Sequence, residues 1–174
     1  MYVTDFGGIY LDTDVLILKS FDPLREYNLV LARETPKTIA NGIIIARKGA
    51  LFLRLWLENY RNYKRGSWIG NSVLFSSLLQ QLYPHLAHVE LHRLLGPNYQ
   101  QWMKYMYGID NNVFDWSKSL SIHIFGENKY RVPRTPEQLK GFNCTLGQVM
   151  RYIYFGSPNL LPITGKRFTA NKPK

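Results

Sequence analysis

The chain has 174 residues, 45% of them hydrophobic, which is enough for a folded domain with a core and unlike a disordered segment. No apolar run approaches the roughly 18–20 residues of a membrane span, and the start of the chain lacks the basic and apolar stretches of a signal peptide. Cys144 is the single cysteine, so no internal disulfide can form, and the formal charge of +10 leans to the C-terminus, where residues 129–174 hold Glu137 as their only acid. The plainest reading of that excess is a solvated basic face and tail. Binding to nucleic acid or an anionic membrane is a second reading, and a positive field for an anionic substrate a third.

Residues 7–14 read Gly-Gly-Ile-Tyr-Leu-Asp-Thr-Asp and lead into the apolar run Val15–Leu18. The spacing predicts a strand with an apolar continuation over Ile9–Leu18. Gly7 and Gly8 permit positive φ or close backbone approach. On an extended segment, side chains two residues apart share a face, so Asp12 and Asp14 point into one volume with Tyr10 beside them. Carboxylates held that close repel each other unless a cation or a shared proton relieves them. Mg2+ and Mn2+ accept carboxylate oxygens and complete their shells with phosphate. The stretch therefore predicts a metal–diphosphate site at the end of a buried strand.

Asp22-Pro23-Leu24 suits a turn. Tyr27–Ala32 is a weak strand pattern, and Glu34–Ala40 is loop-like around Pro36. Asn41-Gly42 precedes the β-branched run Ile43–Ala46, a buried strand. The spacing of Phe52, Leu53, Trp56, Leu57 and Tyr60 predicts a helix over Ala50–Tyr63, stopped at Lys64-Arg65-Gly66. A second helix is predicted over Ser72–Leu82, with Val73, Leu74, Leu78, Leu79 and Leu82 inward, Asn71 or Ser72 as its cap, and Pro84 as its end. His88, Glu90 and His92 share one strand face. A zinc site would use that spacing, but the alternation with Val89 and Leu91 reads more simply as an exposed strand. Tyr99, Trp102, Tyr105 and Tyr107 serve core packing ahead of any role as sugar platforms. Ser119–Phe125 alternates like a strand, with His123 on its less apolar face. Beyond Pro133 the pattern is irregular, with a short helix over Leu146–Tyr154 and a frayed end. Asn143-Cys144-Thr145 is an N-glycosylation sequon, making Asn143 a candidate acceptor if the chain enters the secretory lumen.

Phe6-Gly-Gly-Ile-Tyr-Leu-Asp-Thr-Asp14, with Val15, Leu18 and Lys19 after it, resembles the Asp-x-Asp sugar-transferase family. That family groups Golgi α-1,4-glycosyltransferases with yeast mannosyltransferases and bacterial capsule enzymes. The likeness is dense over residues 6–22 and looser over 40–130. It implies an α/β, GT-A-like fold, in which the Asp-x-Asp pair holds Mn2+ or Mg2+ on a UDP- or GDP-sugar donor. The sugar then passes to a glycan or glycolipid acceptor, with the anomeric configuration retained. Tyr2–Phe6 would end the helix ahead of the glycines. The chain is thus expected to lack the N-terminal nucleotide-binding half, with residues 1–132 as the remaining catalytic part and 133–174 as a basic extension. The resemblance also implies a Golgi setting, with membrane association only through an anchor ahead of this stretch, and no nucleic-acid partner.

The segment Ser121–Lys129 resembles the family's Ala-Ile-His-Leu-Trp-Asn-Lys run, which makes His123 a third metal ligand, with Phe125-Gly126 in place of the usual indole. Gly7, Gly8, Tyr10, Asn41, Gly42, Gly70 and Asn71 become donor-site candidates. For Asn41-Gly42, a turn that starts a strand explains the residues equally well. Trp68–Asn71 stands where the family has Thr-Gly-Pro at a helix start. No nucleophile can be assigned, since Glu58, Asp110 and Asp115 have no distinguishing context. The alternatives are a truncated, non-catalytic relative and a basic nucleic-acid-binding module.

Overall fold

The computed structural model describes residues 2–63, 65–67, 69–108, 111–125 and 132–163. Lys64, Trp68, Asp110, Gly126 and the basic residues at 129, 131 and 166–174 lie outside them. The fold is mixed α/β and forms two compact units: Met1–Asn98 with Ser119–Ile124, and Tyr99–Lys118 with Phe125–Lys174. Among the described residues no helix is long and apolar enough to cross a membrane.

In the first unit a short helix, α1 (Tyr2–Phe6), closes on a Gly7 N–H to Val3 carbonyl bond and hands the chain to β1 (Gly8–Leu11). Gly7 has φ +75°, and a Cβ there would sit 2.7 Å from the Lys48 nitrogen, so conformation and space both require glycine. The other strands are β2 (Val15–Ile17), β3 (Leu29–Thr35), β4 (Thr38–Ala46), β5 (His88–Glu90) and β6 (Ser121–His123). They make a mixed four-stranded sheet, β1-β4-β3-β5, with β5 parallel to β3, and a separate antiparallel pair, β2-β6.

The single apolar run predicted over Ile9–Leu18 thus becomes two strands in two sheets. Asp12-Thr13-Asp14 forms a turn between them, closed by the Val15 N–H on the Asp12 carbonyl at 3.2 Å. The loop expected around Pro36 is the tight end of a hairpin, where Thr35 Oγ1 accepts from the amides of Lys37 and Thr38.

β4 explains the β-branched run, since both of its faces are covered. Ile44 and Ala46 pack with Leu29, Leu31 and Phe52, Leu53 and Trp56 of α2 (Leu51–Asn59). Ile43 and Ile45 pack on the other side with Phe21, Leu24, Leu94 and Leu95. Leu57 and Tyr60, expected inward, are exposed at 41% and 45%.

The next helix departs further from expectation. A π-helical turn, Gly70–Leu74, precedes α3 (Phe75–Leu82), and no side chain caps its start. Val73 and Leu79 point inward as expected, but Leu74, Leu78 and Leu82 are exposed and Ser72, Ser76 and Ser77 are buried instead. The wider turn rotates the face that follows it. The buried hydroxyls are satisfied locally: Ser76 Oγ donates to the Ser72 carbonyl at 2.8 Å and Ser77 Oγ to the Val73 carbonyl at 2.6 Å. Ser77 Oγ also accepts from the Ile39 amide at 2.9 Å, pinning the helix to β4.

The second unit contains α4 (Trp102–Met106), α5 (Pro136–Lys140) and α6 (Thr145–Phe155). α5 falls in sequence expected to be irregular. Thr135 accepts from the Gln138 amide as N-cap and Pro136 holds the first helical position, a start signal present in the sequence. Arg151 is 1% exposed, and its buried charge is met by four hydrogen bonds to backbone carbonyls. Its guanidinium reaches the carbonyls of Phe142 at 2.6 Å and Pro158 at 2.8 Å, and Leu139 more loosely. Burial pushes the Cys144 thiol up to about 11, and its sulfur accepts from the Gly147 amide at 3.4 Å to cap α6. Trp102 is buried and meets the half-buried Tyr107 edge-on, so Trp102 is core and Tyr107 packs at its border.

Candidate metal centre

The turn between β1 and β2 is held from two directions. The Asp12 amide donates to the Gly42 carbonyl at 2.8 Å, extending the β1–β4 ladder by one step. The Asp14 carbonyl accepts from the Ile124 amide at 2.9 Å, and Val15 pairs with His123. Backbone bonds from both sheets therefore place Asp12, Asp14 and His123 together. His123 Nε2 lies 3.0 Å from Asp14 Oδ1 and 3.7 Å from Asp12 Oδ2. The three donor atoms all lie within 4.8 Å of one another. The carboxylates converge through the turn rather than through the alternation of a strand.

His123 is buried while the carboxylates are partly open, so the group has a closed back and a wet front. Tyr10 Oη donates to Asp12 Oδ1 at 2.6 Å, and this bond to a carboxylate, with some burial, pushes the Tyr10 hydroxyl up to about 12. It leaves Asp12 Oδ2 turned toward the imidazole. Gly42 forms the floor: a Cβ there would stand 2.9 Å from Asp12 Oδ2 and 3.3 Å from His123 Nε2. The residues fit a divalent ion. Two carboxylates and one imidazole form a hard-to-borderline donor set, and the missing Cβ leaves their donor atoms room.

The other predicted positions divide. Asn41 adjoins Gly42 and, with Tyr10, borders a cavity beside the centre. Gly7 and Gly8 lie at the other end of β1, roughly 13 Å away at ~3.3 Å per strand residue. They border a different hollow with Arg25, Arg47 and Lys48. Gly70 and Asn71 lie in the π-helical turn, where the Asn71 carbonyl accepts from Trp56 Nε1 at 3.3 Å. Asn143 is exposed just ahead of α6, whose first residue, Thr145, is buried.

The His88–Glu90–His92 face needs correction. Glu90 is buried, and Arg93 donates to its carboxylate. That bond holds the Glu90 carboxyl down to about 2. His88 Nε2 lies 3.5 Å away, and the His88 ring stacks on Tyr27 at 3.8 Å. The Glu-x-x-Arg spacing was the available sign of this closed ion pair.

No protein-family model matches the chain, and no solved structure matches it. The chain is similar to glucan organizing enzyme 1 of Cryptococcus neoformans, at 36% identity over 78 residues. The match covers 39% of this chain and 21% of that protein, so the chain spans about a fifth of that relative's length.

Proposed function

We propose that the chain carries the metal-holding part of a glycosyltransferase that moves a sugar from a nucleotide-sugar donor to a glycan or glycolipid acceptor. The convergence of Asp12, Asp14 and His123 over Gly42 is the observation that carries this reading. The Asp-x-Asp resemblance supplies the reaction class. The partial relative, named as an enzyme that organises glucan, supports a carbohydrate-related role. The Golgi setting belongs to the same proposal.

A bound Mn2+ or Mg2+ would offset the charge that develops on the leaving diphosphate. The protein's own contribution is placement. Tyr10 fixes the rotamer of Asp12 through its hydroxyl, leaving one oxygen to face the centre. The β2–β6 ladder fixes His123 against Asp14. Gly42 keeps the floor clear. A neutral imidazole is the ligating form, and the buried ring presents Nε2 to the two carboxylates.

The test is hydrolysis and transfer of UDP- and GDP-sugars with and without Mn2+, comparing the chain with Asp14→Asn. Metal-dependent turnover is expected, and is expected to vanish in the variant. Turnover unchanged by the substitution would sink the metal role.

A further inference from the structure

At the Gly7–Gly8 end of β1 lies a hollow of about 670 Å3, inside the range of roughly 300 to 1,000 Å3 that ligand sites occupy. The metal reading uses none of its side chains. Arg25, Arg47 and Lys48 enter its wall, and Glu26 is the one acid among the described lining residues. The length of β1 separates it from Asp12 by roughly 13 Å at ~3.3 Å per residue, so an anion held here is distinct from one held on the metal.

The three cations are occupied differently. Arg25 is paired with Asp22 at 3.0 Å. Arg47 forms no ion pair among the described residues. Its Nη2 donates to the Glu26 carbonyl at 3.0 Å and to the Arg25 carbonyl at 3.3 Å, which orients the fork and leaves Nη1 and Nε without a protein partner among those residues. The Lys48 ammonium has none there either, and the Lys48 amide joins no backbone hydrogen bond. The absence of a side chain at Gly7 keeps that amide uncovered, since a Cβ would stand 2.7 Å from its nitrogen.

Two cations without acid partners suit a doubly charged anion better than a carboxylate, and an oriented guanidinium fork matches the oxygens of a phosphate. Much of the remaining wall is apolar. The Tyr27 ring is stacked on His88 at 3.8 Å, the Phe6 side chain is largely exposed, and Ile45 and Ala46 are buried. We infer that this hollow binds a phosphate monoester with an apolar or aromatic body, its phosphate on Arg47 and Lys48 and its body against Tyr27 and Phe6. Gly7 and Gly8 then serve a second anion site and not the sugar donor. The inference stands whether or not the metal centre serves sugar transfer.

The experiment is isothermal calorimetry on the whole chain in EDTA, with phenyl phosphate and inorganic phosphate as probes. Saturable binding of phenyl phosphate is expected, tighter than that of inorganic phosphate. Lys48→Gln is expected to weaken it roughly tenfold, the worth of one charge-assisted contact, and Arg47→Lys, which keeps the charge but loses the fork, by less. Glu26→Gln removes the acid and is expected to tighten binding about threefold, a direction that damage to the wall would not give. Absence of saturable binding would overturn the inference, as would unchanged affinity in both Lys48→Gln and Arg47→Lys. Equal loss in Asp14→Asn would place the phosphate at the metal centre and overturn it too, whereas failure of Mn2+ binding beside intact phenyl phosphate binding would remove the glycosyltransferase reading alone. Sedimentation with phosphatidylcholine vesicles, with and without phosphatidic acid, distinguishes the sources. Association that needs phosphatidic acid and Lys48 assigns a lipid headgroup, and phenyl phosphate binding without association assigns a soluble monoester.

Discussion

Two clusters in the first unit pair carboxylates with histidine, and they differ in what faces the acid. At Glu90 one carboxylate meets Arg93 as well as His88, so the acid is matched and the group is closed. At Asp12 and Asp14 two carboxylates share one imidazole, with Tyr10 supplying a hydrogen bond and no charge. The second cluster brings two carboxylates within reach of one another and of the imidazole, over a glycine that leaves them room. Convergence of several donor atoms in a preformed cradle distinguishes an ion site from a structural ion pair, and the mere presence of acid and histidine does not.

The contrast breaks most visibly in metal affinity. Asp14→Asn is expected to weaken Mn2+ binding by more than roughly a hundredfold, beyond what loss of an outer partner costs, while Glu90→Gln leaves it unchanged. Isothermal calorimetry on both variants decides this, and equal effects would erase the distinction. Gly42→Ala tests the cradle. The added methyl must displace Asp12 Oδ2 or His123, so metal affinity is expected to fall on the order of tenfold and stability by about 1–3 kcal/mol in denaturant unfolding. Full affinity in Gly42→Ala would show that the floor is not tight.

The smallest effect is on the closed cluster and depends on pH. Glu90 ionises at about 2 in the folded chain against an ordinary 4.5. Its contribution to stability is therefore complete above about pH 4.5 and is lost as pH falls toward 2. Arg93 is partly exposed and screened, so the contribution is about 1 kcal/mol. Thermal melts from pH 6 to pH 2 are expected to show a flatter acid limb in Glu90→Gln. A limb as steep as that of the unsubstituted chain would mean that other carboxyls dominate.

What could be read from the sequence follows from which interactions are local. The run Ile43–Ile45 announces a buried strand, and Leu146–Tyr154 announces a short helix, because short-range pattern and tertiary packing agree there. Asp12, Asp14 and His123 could be nominated one by one from motif and resemblance. Their meeting depends on β6 pairing with β2 across more than a hundred residues, which no local pattern encodes. The leucines of α3 misled because the preceding π-helical turn is invisible in hydrophobic spacing and shifts the buried face onto serines. The Glu90–Arg93 pair is hidden behind the strand-like alternation of residues 88–92, because its three-residue spacing crosses the end of β5.

The Asp12–Thr13–Asp14 turn is the shortest of the covalent joints between two sheets that share no ladder among the described residues. Asp12 rides on the larger sheet through the Gly42 carbonyl, while Asp14 and His123 ride on the two-stranded one. An ion gripped by all three would act as a rivet between separately laced panels. Its arrival should then be written along the backbone of the smaller panel, as slower amide hydrogen exchange over Val15–Ile17 and Ser121–His123.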